Sequence, residues 1–379
     1  MQRREFNQLA LQTAIGSLLL GCSSVVVAPK ERSDSAAYPE KVGSKGRIVL
    51  SLFKPGGACA IRLVDWETFE FHDFDVPLNV AHSLVQDKSD KDVIYAFEVF
   101  GSGLRANLKT GSVVKIDHRR GQGMFNGHGA ILGGNGEFIA CTEIAKAGAS
   151  VRVRSTKDLS VIAELPQECG LCHQAIVLPG TMTLVSGGRF GNKGAFTFYD
   201  FSTKKLVLRV ETPNPILHLT SLSSSEVIGT CVADDDPISM ERMDSMDPSK
   251  DSYSNVKKYT AHQHREPAPI AYASMDGKSR FLLDDTKKDL FASTFGVTKG
   301  KNERFISAHT AMDKVLIWKN FEIEKMIDVP KPKNVQISPD GEEMMILGGG
   351  QLYVFSTKDF SLLRKTEDWP YVVSTSHYG

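Results

Sequence analysis

The sequence predicts an all-β protein, a seven-bladed β-propeller, on three observations. A strand, a polar turn and a returning strand recur along the chain; a second strand pair with a glycine turn precedes most copies; and histidines return at a nearly constant interval.

The clearest hairpin spans Val151 to Ile162 and recurs from Phe196 to Val207 and from Leu352 to Leu363, each time around a Ser-Thr-Lys turn. Weaker copies turn near Thr68, Thr110, Thr286 and Asn320, which makes seven in all. The preceding strand pairs run from Gly129 to Thr142 around Asn135-Gly136, from Ala175 to Ser186 around Pro179-Gly180, and from Val335 to Leu347 around Pro339-Asp340-Gly341. Four strands per unit is the propeller pattern. No long stretch carries the 3.6-residue apolar period of crossover helices, which excludes a doubly wound α/β fold. Blade 1 begins with Arg47 to Phe53 as its second strand, so its innermost strand is expected from Pro370 to Ser376, closing the ring at the C-terminus.

Composition agrees with one large β domain. Of 379 residues, 41% are hydrophobic and 32 are glycine, enough for a substantial core and many turns. Lys+Arg and Asp+Glu both total 45, so no positive field draws the chain to phosphate backbones, and nucleic acid is not an expected partner.

Residues 1–22 read as an export signal. Arg3-Arg4-Glu5-Phe6 resembles a twin-arginine motif, and an apolar stretch too short for a normal transmembrane helix leads to Leu19-Leu20-Gly21-Cys22, which looks like a lipobox. Cys22 is therefore the expected lipidation site, and the membrane, through that anchor, an expected partner. An ordinary secretory signal is the alternative. Residues 23–45, rich in Ser, Lys, Glu and Ala, read as a flexible tether, and 46–379 as a single propeller domain interrupted by an insertion at about 233–269. That insertion holds Asp234-Asp235-Asp236, Met240, Met243, Met246, His262 and His264. Its methionines suit either a Cu(I)-capturing lid or simple packing onto the propeller face.

His82, His128, His173 and His218 are 46, 45 and 45 residues apart, one blade period, and so occupy equivalent places in four successive blades. Each is read as sitting just ahead of an innermost strand, so residues 13 to 16 later return to the same end. These include Cys141, Thr142 and Glu143, then Cys231 and Asp234, with Glu98 a weaker match; His309 in blade six is a further candidate. The four histidines are the expected metal ligands, with Glu143, Asp234 and His309 as additional ligand-binding residues. Gathered neutral imidazoles suit Fe, Cu or Zn. A metal-free ligand site and a structural ladder of inter-blade hydrogen bonds remain alternatives.

Phe125-Asn126-Gly127-His128-Gly129, Thr142-Glu143, Cys172-His173 and Leu217-His218-Leu219 together resemble a bacterial family of unknown function, made of twin-arginine-exported, seven-bladed WD40/YVTN-like propellers whose histidines fall in GHG, PHE and RHL contexts. The resemblance covers most of residues 46 to 370. The lipobox reading makes the expected location the periplasm, as a lipoprotein on the outer membrane rather than the inner; the resemblance implies a metal connection, with envelope metal-uptake proteins as partners, and no particular reaction. The sequence departs from the pattern at Cys172 and Gln174, where Pro and Glu are expected, and at Ala81, where glycine is expected.

Cys169-Gly170-Leu171-Cys172-His173 also satisfies the C-x-x-C-H spacing of c-type haem attachment. That chemistry needs an unfolded chain after translocation, whereas the twin-arginine route carries folded proteins. Haem is thus disfavoured against a disulfide or free thiols and against thiolate ligation of a metal. The functional expectation is a metal- or ligand-binding propeller concerned with envelope iron or copper. A metal-dependent hydrolase, lyase or oxidoreductase on the same rim, and an interaction scaffold, are the alternatives.

Overall fold

Short turns between consecutive strands permit only antiparallel neighbours, so each repeat closes on itself as one small sheet. A computed structural model describes residues 25–27, 43–53, 59–79, 81–117, 124–145, 148–166, 171–190, 193–232, 267–283, 291, 294–367 and 377–378, and shows seven such sheets in a ring. Blades 3 and 4 have inner strands Met124–Leu132 and Leu171–Val177; blades 5, 6 and 7 have Ile216–Ser221, Thr294–Lys299 and Pro332–Ile337. Blade 2 starts at Ser83–Gln86, and blade 1 has three strands, Arg47–Phe53, Cys59–Asp65 and Phe71–Val76.

The turns explain the repeated sequence. In Ser-Thr-Lys-Asp-Leu-Ser and its relatives the fifth position takes a left-handed conformation, at Leu159 (φ 59°) and Phe360 (φ 61°), while its N–H closes back onto the carbonyl of Ser155 or Ser356. A left-handed residue of this kind costs roughly 1–2 kcal/mol, and burial offsets it: the Leu159 side chain is fully enclosed between blades 2 and 3. Between first and second strands the turn glycines Gly180 (φ 71°) and Gly341 (φ 70°) supply the same backbone region without a side chain.

Blades hold together through their faces. Among the described residues seven apolar clusters form, one for each blade boundary: Val85, Tyr95 and Phe97 of blade 2, for instance, enclose Phe125, Ile139 and Cys141 of blade 3. At roughly 1.5–3 kcal/mol per enclosed large side chain, these boundaries dominate the stability of the ring.

Several sequence expectations change. Blade 5 turns at Asp276-Gly277, between Ile270–Ser274 and Ser279–Leu282, not near Thr286, which lies outside the described residues. Pro370 to Ser376 also lie outside them; the C-terminal strand that is described, His377–Tyr378, returns to the ring but runs parallel to Ser83–Leu84 of blade 2 instead of completing blade 1. Within the stretch read as a tether, Val25–Val27 adds to the outer edge of blade 2 opposite Val113–Lys115. Val99–Gly101 crosses from blade 2 to pair with Phe125 and Asn126 of blade 3. Cys22, Cys169 and the insertion from 233 to 266 are outside the described residues.

Blade 7 meets blade 1 through packing of Met345, Leu347 and Val354 on Ile48, Leu50 and Val64, plus one polar latch. The Glu343 carboxylate accepts bonds from Trp66 Nε1 (2.7 Å) and from both terminal nitrogens of Arg364 (3.1 and 2.7 Å), and pairs with Lys45 at 2.6 Å. Arg364 hydrogen bonding, ahead of the Lys45 and Trp66 bonds, holds the carboxyl at about 2 against the opposing effect of burial. Because the folded-state value is depressed, the latch contributes fully above the unfolded value and fades as pH falls toward 2. Glu343→Gln is expected to cost about 2–3 kcal/mol in urea unfolding at neutral pH. The gap from wild type should close between about pH 4.5 and pH 2.

Candidate metal centre

A bulge places the histidines. The ladder between first and second strands slips between Phe125 and Gly129, between Cys172 and Gln174, and between Ile216 and His218, so at each point the inner strand carries extra residues at the channel. Bulges re-aim side chains in this way. His82 reaches the same level from the residue before its strand, its N–H bonded to the carbonyl of Phe97 at 2.8 Å. In blade 3 the local sequence is dictated on both sides: Gly127 adopts φ 96°, and a Cβ on Gly129 would lie 2.6 Å from the Phe97 ring.

The result is one compact group. His82, His128, His173 and His218 are all buried, and one nitrogen from each lies within 4.8 Å of the others. Five of the six ring pairs have centroids 4.7–5.3 Å apart, all edge-on. Burial lowers the pKa of His173 to about 4; burial, then the neighbouring His173, also pushes His82 well below its ordinary value. Both rings are therefore neutral at neutral pH, the state in which imidazole ligates a metal.

Neighbours of the histidines carry the cross-links between blades. Asn126 Nδ2 donates to the carbonyl of Cys172 at 2.6 Å, and Thr142 Oγ1 donates to the carbonyl of His173 at 2.9 Å and reaches that of His128 at 3.3 Å. The Leu219 N–H donates to Gln174 Oε1 at 2.7 Å, joining blades 4 and 5, and Ser51 Oγ donates to the carbonyl of Ala81 beside His82 at 2.6 Å. For Asn126 and Gln174 the sequence offered a weak signal, a polar side chain one or two residues from a repeated histidine, and for Thr142 its return to the histidine end 14 residues after His128; nothing marked Ser51.

The additional ligand candidates do not join the group. Glu143 is next to Thr142, but strand alternation turns it to the opposite face, where it is buried against Arg154 (2.7 and 3.1 Å) and Arg152 (2.8 Å). Glu98 accepts the backbone N–H groups of Asn79 and Ser102. His309 is enclosed in blade 6, its Nε2 2.7 Å from Ser307 Oγ and its Nδ1 3.2 Å from Thr294 Oγ1, with Trp318 Nε1 also on Ser307. Asp234 falls outside the described residues. The two cysteines are not equivalent either: Cys141 pairs with Gly129, whereas Cys231 pairs with Ile216, and both thiols lie in inter-blade cores. Burial raises both, Cys231 to about 12, so neither is poised as a thiolate. Cys172 packs into the core between blades 3 and 4.

The donor set fits a transition-metal ion. Four imidazoles are a sufficient ligand set for Zn, Cu or Fe, and among the described residues no Asp, Glu or Cys belongs to the group. With bonds of 2.0–2.1 Å, a tetrahedral site needs nitrogens about 3.4 Å apart, so the rings would draw inward on binding. Asn126, two residues before His128, is 1% exposed, and its Oδ1 has no hydrogen-bond partner among the described residues, a polar atom left over at the edge of the group.

No protein-family model and no curated protein matches the chain, so the family resemblance rests on its short motifs. Among solved structures, hydrazine synthase of Kuenenia stuttgartiensis is similar, with TM-score 0.61 and 12% identity over 85% of this chain and 99% of that one. At that identity the likeness is one of fold, the β-propeller.

Thr142→Val keeps the shape at the hub of two histidine carbonyls but removes its hydroxyl. The expected loss is about 1–2 kcal/mol in urea unfolding, and an unchanged stability would contradict the bridging role.

Proposed function

We propose that this chain is an exported propeller that holds a transition-metal ion, iron, copper or zinc, between His82, His128, His173 and His218, anchored to a membrane by lipid on Cys22 and serving envelope iron or copper handling. One observation carries the metal reading: four buried imidazoles from four successive blades offer nitrogens within 4.8 Å of one another. The alternative of a purely structural ladder is weakened because Asn126, Thr142 and Gln174 already supply inter-blade bonds at the same level. Burying several polar rings together carries a desolvation cost, which ligation of a shared cation would offset. A bound ion would supply a Lewis-acid or redox centre at the base of the channel. The membrane and envelope parts of the proposal rest on the N-terminal motifs and the family resemblance.

Elemental analysis of natively exported protein tests the metal reading. Near one ion per chain is expected, falling to background in the His128→Ala/His173→Ala variant, which should keep its β-rich circular dichroism. Metal-free wild type, or a double variant that loses only stability, would leave the scaffold reading. Turnover of a substrate panel by loaded protein would favour the enzyme alternative. Separately, Cys22→Ser is expected to move the protein from the membrane fraction to the soluble one; retention in the membrane would rule out the lipid anchor.

A further inference from the structure

The ring encloses a channel of about 780 Å³ that runs along the inner strands, from the turns at Lys88, Gly133 and Pro179 to a floor that includes His218 and the residues flanking His128 and His173, Gly129 and Gln174. One wall of the channel is thus also one edge of the histidine group. Two features of charge are decisive. A divalent ion held by four neutral imidazoles keeps its whole charge in a buried place, and an uncompensated buried charge is expensive. Along the described channel lining there is no Asp or Glu, and the one formally charged side chain is Lys88, at the mouth, with its Nζ 3.3 Å from the carbonyl of Gly133. The described residues supply no anion on this path.

We infer that the channel is the seat of a second ligand, a small organic carboxylate, which enters past Lys88 and completes the charge balance of the metal beside His218. This rests on the metal reading above. A carboxylate with an organic body is favoured over a bare inorganic anion by the space and the lining. The volume falls within the ~300–1,000 Å³ of small-molecule pockets, and Val85, Ile131, Ile176 and Val297 offer apolar wall while Thr220 offers a hydroxyl. Thr298 Oγ1 already donates to the carbonyl of Val335, so its place on the wall of blade 6 is fixed.

Cobalt(II) provides the readout, because its visible bands respond to changes in its ligands. Full-length protein loaded with cobalt would be titrated with acetate, benzoate and azide. Both carboxylates are expected to change the bands saturably in the millimolar range. Thr220→Trp and Thr298→Trp, which narrow the channel from different blades, should bind the same amount of cobalt and weaken the benzoate response at least tenfold; thermal melts check that each is folded, and either folded variant suffices. A response to azide but not to benzoate, no response to any anion, or undiminished responses in the folded plugged variants would overturn the carboxylate seat while leaving the metal site standing. Wild type that takes up no cobalt would remove both.

Discussion

Each blade has two apolar faces and no means of covering them alone; a neighbouring blade on either side is the only partner of matching shape. That constraint makes the ring obligatory. It accounts for the seven clusters at seven boundaries, for the enclosure of Phe97, Phe196 and Phe198, and for the apolar residue in the left-handed turn position at Leu159. Geometry at the axis then follows: inner strands converge, and whatever side chains they turn toward it must meet there. Four imidazoles at 4.7–5.3 Å are the local outcome of packing that happens much further out.

The same convergence explains why the histidines are buried without being part of an apolar core. Among the described residues the inner strands have a further strand on their channel side only where Val99–Gly101 and His377–Tyr378 supply one, and the bulges leave several residues there out of the ladder. Asn126, Thr142 and Gln174 take up the backbone groups thus exposed. The arrangement concentrates polar atoms at one level, and the inter-blade cores on every side keep the surroundings dry. Such a setting suits ligation by neutral imidazole more than acid–base chemistry, since burial holds His173 near 4.

Much of this was legible in the sequence because repetition reports architecture directly. A Ser-Thr-Lys turn recurring with its flanking strands gave blades, and a histidine spacing equal to the blade period placed His82, His128, His173 and His218 together. Finer assignments failed where one residue decides the answer. Glu143 follows Thr142, and the period of two in a strand sends it to the arginines of the opposite face. Cys141 and Cys231 share a 13-residue offset from their histidines, yet the blades differ in the turn between first and second strands, so equal counting lands on different rungs. The blade 5 hairpin turns at Asp276-Gly277, which lacks the Ser-Thr-Lys pattern of the clearest hairpins. The partner of the C-terminal strand depends on contacts across the whole ring, which no local pattern encodes.

Glu343 and its partners join blade 7 to blade 1, and among the described residues no backbone ladder links these two blades directly, the C-terminal strand His377–Tyr378 passing on to blade 2. Blades 2 to 5, which carry the histidines, form an unbroken arc of consecutive chain that excludes it. That seam is closed by the side chains of Glu343, Arg364, Trp66 and Lys45. The four imidazoles sit on the continuous arc, so none of them is carried by either blade of the seam. Closing the ring and gathering the histidines are thereby carried by different parts of one circle.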